Sequence, residues 1–165
     1  MLLTMMLVAA AGASRADHIA VYSDATGSVC NLPAGFSANG TVIHKFSIGA
    51  TSSRFKLDLS LAPGSVVFSF NTPYVPVGDL VHDISIGYGQ CLTGNIVLGT
   101  IVAVFQPGAI SIVSAEGYPL ILYTDCLFEE RPATGGHTSI AGDGHGCDYD
   151  AVETSTWGKV KSLYR

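Results

Sequence analysis

The 165-residue chain carries eight Lys and Arg against thirteen Asp and Glu, a formal net charge of −5. Its cations are scattered, with no basic stripe and no aromatic–basic interleaving, which excludes a nucleic-acid role because phosphate-backbone binding needs clustered Lys and Arg. No stretch of the mature chain approaches the ~20 apolar residues of a membrane-spanning helix.

The chain opens "MLLTMMLVAAAGASRADH". Leu2 to Ala13 is an apolar run of about a dozen residues, too short to span a bilayer and matched to the h-region of a secretory signal. Cleavage after Ala16, with Ser14 at −3, leaves a short polar stretch behind the run; cleavage after Ala13, with Ala11 at −3, is the alternative. No Lys or Arg precedes the run, so the α-amino group supplies the positive end. Residues 1–16 are therefore read as a signal peptide, 17–150 as one β domain and 151–165 as a C-terminal tail. About 149 mature residues suit a single domain with one core.

The four cysteines are Cys30, Cys91, Cys126 and Cys147. An even number in an exported chain reads as two disulfides, and the compartment as periplasmic or extracellular. Three connectivities are open. A nested one, Cys91–Cys126 inside Cys30–Cys147, would bridge central strands and tie the chain ends together. No C-x-x-C occurs, so thioredoxin-like exchange has no footing.

Period-two alternation dominates the chain. "HIAVYSD" (residues 18–24) reads as a first strand and "SVCNL" as a short second. "TVIHKFSIG" (41–49) follows the turn pair Asn39-Gly40. In "RFKLDLSL" (54–61), Phe55, Leu57, Leu59 and Leu61 face inward while Arg54, Lys56, Asp58 and Ser60 stay wet, as in an antiparallel sheet with one solvated face. "VVFSF" repeats the pattern with Val66, Phe68 and Phe70 inward, and "APG" between the two predicts a hairpin. "HDISIGY" puts His82, Ile84, Ile86 and Tyr88 on one face. "NIVLGTIVAVF" is a long strand with a bulge expected at Gly99. "AISIV" and "YPLILYTDC" complete about eight strands separated by Gly, Pro and Asn turns. The expected fold is all-β: an antiparallel β-sandwich, immunoglobulin-like in outline, with a barrel as the alternative. The Cys…Trp…Cys core signature is missing, because Trp157 follows every cysteine.

The tail "ETSTWGKVKSLYR" (153–165) is read as a short helix or docked segment, with Thr154 or Ser155 as a cap and Trp157, Val160 and Tyr164 on one face. With "LYTDC", "PATGG" and "IGYGQCL" before it, the ending "TWGKVKSLYR" resembles that of a group of small secreted bacterial proteins with no assigned activity. The resemblance implies export, a β-rich fold and paired cysteines, and brings no site residue.

The segment "GGHTSIAGDGHGCDYD" (135–150) concentrates metal-type ligands. A calcium loop from Asp143 fails the D-x-[DN]-x-[DN]-G template, since His145 and Cys147 stand at oxygen positions; an irregular site of Asp143, Asp148 and Asp150 is left. Zinc suits His137, His145, Cys147 and Asp148 by ligand type, but a disulfide at Cys147 removes the thiolate and the histidines fall outside H-x3–5-H spacing. The plainer reading is a solvated, glycine-rich connection, and no cofactor is required. Serine-hydrolase chemistry lacks G-x-S-x-G, though His44 or His82 with Asp83 or Asp125 would serve a triad assembled in space. The neighbouring acids Asp125 with Glu129-Glu130, and Asp148 with Asp150, do not make a glycosidase cleft from sequence alone. Tyr74, Tyr118, Tyr123 and Tyr149, together with Trp157, are candidate contacts for a protein or carbohydrate partner. The expected function is thus an exported, non-catalytic module with a structural, adhesive or binding role. The alternatives are a secreted hydrolase and a metal-dependent module using residues 135–150.

Overall fold

A computed structural model describes residues 17–142. The signal-peptide reading, the tail with Trp157, and Asp143, His145, Cys147, Asp148, Tyr149 and Asp150 lie outside the described residues. The described chain is all-β, with ten strands: β1 (His18–Tyr22), β2 (Asn31–Leu32), β3 (Gly35–Asp58), β4 (Val66–Asn71), β5 (Val75–Asp79), β6 (Asp83–Phe105), β7 (Gly108–Val113), β8 (Ile121–Asp125), β9 (Glu130–Gly135) and β10 (His137–Ile140).

The spine is the antiparallel pair β3–β6, in register from Gly35↔Phe105 to Phe55↔Ile84. The segments 41–49 and 54–58, read as belonging to separate strands, are parts of the single 24-residue β3, just as 83–88 and 95–105 belong to the single β6. Residues 59–61 lie past the end of β3, and Leu61, expected inward, is exposed there. Gly40 and Gly49, which look like turn residues in sequence, lie inside β3, where repeated register shifts bend the strand without ending it. One shift, at Val42/Ile43 opposite Gly99 and Val97, is the bulge expected at Gly99. Along its other edge β3 pairs in turn with β1 (41–45), β8 (50–54) and β7 (56–58). β4 and β5 share the outer edge of β6. All pairings are antiparallel except β1–β9 and β2–β10, which are parallel.

Four expectations about faces and turns are corrected. The stretch 54–61 and β4 do not form a hairpin, because β6 stands between them. Val66 and Phe68 point outward, at 51% and 58% exposure. A register shift between Val67 and Ser69 resets the alternation, so Val67 and Phe70 pack on the core instead. In β8, Ile121 and Tyr123 face the core and Leu120 is exposed, so Tyr123, marked as a candidate contact for a partner, is turned inward. His82 leaves the apolar face of β6 for the β5–β6 turn, where its backbone N–H and ring both bond Asp79.

Residues 135–140 are strand, not solvated loop, and Thr138, Ser139 and Ile140 are buried. The glycines there serve close approach rather than flexibility. A Cβ on Gly135 would sit 1.8 Å from the Ile112 carbonyl oxygen, and one on Gly136 2.4 Å from the Ala20 Cβ. The main core gathers the inward residues of β1, β3, β6, β7 and β8 around Phe55, Leu57, Ile86, Leu98, Ile101 and Phe105. Each such side chain contributes roughly 1.5–3 kcal/mol on burial.

Of the nested disulfides, Cys91–Cys126 is present, with its Cα atoms 5.4 Å apart. Cys30 is disulfide-bonded too; Cys147 lies outside the described residues. The Cys91–Cys126 bond joins β6 to the β8–β9 turn, which is a three-residue hairpin loop. Asp125 N donates to Glu129 O (2.9 Å) and Phe128 N to Asp125 O (3.1 Å). Phe128 takes the left-handed position of that loop, at φ 63°, where glycine is usual. The Asp125 carboxylate accepts from Leu127 N (2.8 Å), Glu129 N (2.9 Å) and Arg131 Nε (3.0 Å). Those donors, led by the Glu129 N–H, hold its carboxyl below the usual carboxylate range.

Candidate functional site

Two places bring a carboxylate, a nitrogen base or cation, and tyrosine together, and both are built on β3. The first centres on His44, which is fully buried. The pairing of β1 with β3 brings Asp17, just before β1, beside it: His44 Nε2 donates to Asp17 Oδ1 at 3.0 Å, and the Tyr88 hydroxyl, 3.2 Å from Nδ1, donates to that nitrogen. Tyr123 stacks edge-on against the imidazole, with ring centroids 5.3 Å apart, and its hydroxyl bonds Asp17. Burial and the Asp17 carboxylate together push the Tyr123 phenol up to about 12; burial raises Tyr88 as well. Nearby His18, also buried, has its pKa lowered to about 4, by burial first and then by the charges of Lys45 and His44. Its Nδ1 lies 3.2 Å from Thr134 Oγ1.

An Asp–His–hydroxyl relay is the arrangement a hydrolase uses. Here both ring nitrogens of His44 are engaged inside the protein, and Ser53 and the two tyrosines beside it are themselves buried. No substrate carbonyl reaches a nucleophile in this arrangement. The cluster can hold β1 against β3, β6 and β8, and the cost of desolvating Asp17 is offset by its hydrogen bonds.

The second place lies ten residues along, on the outer side of β3. The Arg54 guanidinium forks onto Asp83, its Nε donating to Oδ1 at 2.9 Å and its Nη2 to Oδ2. It also lies 3.8 Å from the Tyr118 ring centroid and donates to the Tyr118 hydroxyl. The carboxylate holds Arg54 above its usual value, and Arg54 holds Asp83 below the carboxylate range. Ser52, Ser85, Leu122, Thr124 and Glu130 border a shallow depression of about 160 Å³ beside Arg54. The register sets Val77 opposite Ser85 and Val75 opposite Gly87 on the edge strand β5, and these valines are 67% and 69% exposed. The result is a face five strands wide, β9-β8-β3-β6-β5. It has a hydroxyl-lined centre, an Arg–Tyr stack and an apolar margin.

Among the described residues, the aromatic side chains marked in sequence do not converge. Tyr123 faces the core, Tyr74 packs on Tyr88 with centroids 5.2 Å apart, and only Tyr118 belongs to the open face. His137 is exposed and bonded to the Ser111 hydroxyl. Among the described residues no three His, Cys, Asp or Glu side chains converge as metal ligands. Ser52, Ser85 and Thr124 carry no motif. The wet side of the 54–61 alternation is the signal that leads to this face, since it sets Arg54 and Lys56 outward.

A larger groove of about 340 Å³ runs along β4 and β5, lined by Val67, Phe68, Phe70, Pro76, Leu80 and Ile84 among others. Asp79 is the only titratable residue lining it.

No family model matches the chain, and no curated protein does. Among solved structures, a cohesin module from a family 33 glycoside hydrolase of Clostridium perfringens is similar to it. The match covers 76% of this chain and 96% of that one, with 8% identity and a TM-score of 0.45. At that distance the likeness carries no argument about ligand or partner. No helix among the described residues is long and apolar enough to cross a membrane.

Proposed function

We propose that this chain is an exported β-sandwich module, residues 17–150 behind a signal peptide, that acts by binding a protein through the β9-β8-β3-β6-β5 face. The observation that carries the reading is the division of its polar groups. The cluster that joins histidine, carboxylate and tyrosine is sealed around His44, while Arg54, Asp83 and the hydroxyls beside them are spread over a broad open face. The depression on that face is about 160 Å³, below the ~300–1,000 Å³ of small-molecule sites. Arg and Tyr beside exposed valines match the composition of protein interfaces. The disulfides fit export.

The test is affinity capture from the extracellular fraction of the producing culture, comparing the protein with an Arg54→Glu/Val77→Glu variant and with a Phe36→Ser control. The reading expects a partner retained by the protein and the control and lost by the face variant. Equal capture by all three overturns the assigned face. Turnover of ester, peptide or glycoside substrates that His44→Ala abolishes would overturn the non-catalytic reading in favour of a secreted hydrolase.

A further inference from the structure

The β8–β9 turn carries a second exposed feature, independent of the open face. Leu127 and Phe128 are 77% and 80% exposed, and Ile48 on the neighbouring bend of β3 is 84% exposed. Three large apolar side chains so exposed in one place mark a contact site rather than ordinary surface. The tip is also held rigidly. Cys126 is bonded to Cys91, and Ala50 pairs with Asp125. Gly49 lies so close to the disulfide that a Cβ there would be 2.8 Å from Cys126 Sγ. Phe128 keeps a left-handed backbone that an aromatic residue disfavours. Strain of this kind persists where a site depends on it.

Charge identifies what covers the tip. Residues 17–142 hold nine acids and four cations, and every cation is engaged. Lys45 donates to Gly27 O, Arg54 pairs with Asp83, Lys56 with Glu116 and Arg131 with Asp125 and Glu129. At the tip Glu130 is left as an exposed acid in a hairpin already net negative. One segment of the sequence has the complementary chemistry: "WGKVKSLYR", residues 157–165, with Trp157, Val160, Leu163 and Tyr164 among Lys159, Lys161 and Arg165. Fourteen residues lie between 142 and 157, and over those fifteen steps at ~3.3 Å each an extended chain spans roughly 50 Å, more than the diameter of a domain this size.

We infer that the C-terminal segment of the same chain docks on the Ile48–Leu127–Phe128 tip, with its cations against the acidic hairpin. Trp157 is the only tryptophan in the chain, so its fluorescence reads the contact in the intact protein. Docking predicts emission to the blue of a free tryptophan amide and weak acrylamide quenching. Both should move toward the free values in Ile48→Ser/Leu127→Ser, and part-way in Glu129→Lys/Glu130→Lys or at high salt. The tip side chains are exposed, so the variants should keep the circular dichroism and melting temperature of the parent. Emission already at the free value in the parent overturns the inference. So does shielding released by Phe68→Ser in the β4–β5 groove but not by the tip variants. Shielding lost on dilution would place the segment on a second copy and overturn docking within one chain.

Discussion

His44 and Arg54 stand ten residues apart on the same strand, each joined to an aspartate and to tyrosine, yet they do different work. His44 is at 0% exposure with its carboxylate partner at 10%; the Arg54 and Asp83 side chains are at 33% and 31%. Burial raises the stakes of the first cluster, because an unpaired group there has no water to turn to. Solvent lowers them at the second, where Arg54 can exchange its partner for one on another molecule at little cost. The alternation of β3, inward for one cluster and outward for the other, separates a buried fastening from a cluster that solvent reaches. Repeated bulges between the two keep the strand wrapped around the core over that distance.

The sharpest way to break this comparison is His44→Ala. Removing one partner of a buried pair costs about 3–5 kcal/mol, and denaturant unfolding should show a loss of that size; a loss like that of Arg54→Ala would erase the distinction. Acid gives the next effect. Folded His18 refuses its proton down to a pKa of about 4, against 6.5 when free. The unfolded chain binds that proton first, so the stability this gives at neutral pH is lost as pH falls from 6.5 toward 4. The loss amounts to about 3 kcal/mol. His18→Gln should flatten melting temperature across that window, and an unchanged slope would assign the acid sensitivity elsewhere. The smallest effect is at the open cluster. Arg54→Ala should cost at most about 1 kcal/mol, shrinking with added salt, while removing partner binding.

The sequence shows much of this division where one face is apolar and the other is not. Phe55 and Leu57 alternate with Arg54 and Lys56, and the structure follows that pattern until β3 ends at Asp58, beyond which Leu61 turns outward. It becomes illegible where both parities are apolar. Leu120, Ile121, Leu122 and Tyr123 offer two equally greasy faces, and only the packing of Tyr123 onto His44 selects one. Bulges hide in the same way: Val67 and Phe70 share a face only because an extra residue interrupts the period of two. The strands β5 and β9 contain Pro76 with Gly78, and Pro132, which mark a turn in isolation but are tolerated along exposed strands. Conversely Gly135 and Gly136 read as loop residues, although packing against Ile112 and Ala20 is what requires them. The outer face has no motif because a flat, open sheet face needs only small, wet side chains in register.

The parallel pairing of β1 with β9 governs the order in which the chain assembles. His18 meets Thr134 across a sequence separation of 116, so the first strand cannot gain its second neighbour until nearly the whole domain is present. Topologies dominated by such distant pairings fold on the millisecond-to-second scale. Until then β1 waits with one edge open, the state most prone to pairing with the wrong strand. The Asp17–His44 contact needs only β3, so it can form early and hold the waiting strand in place until the last strands arrive.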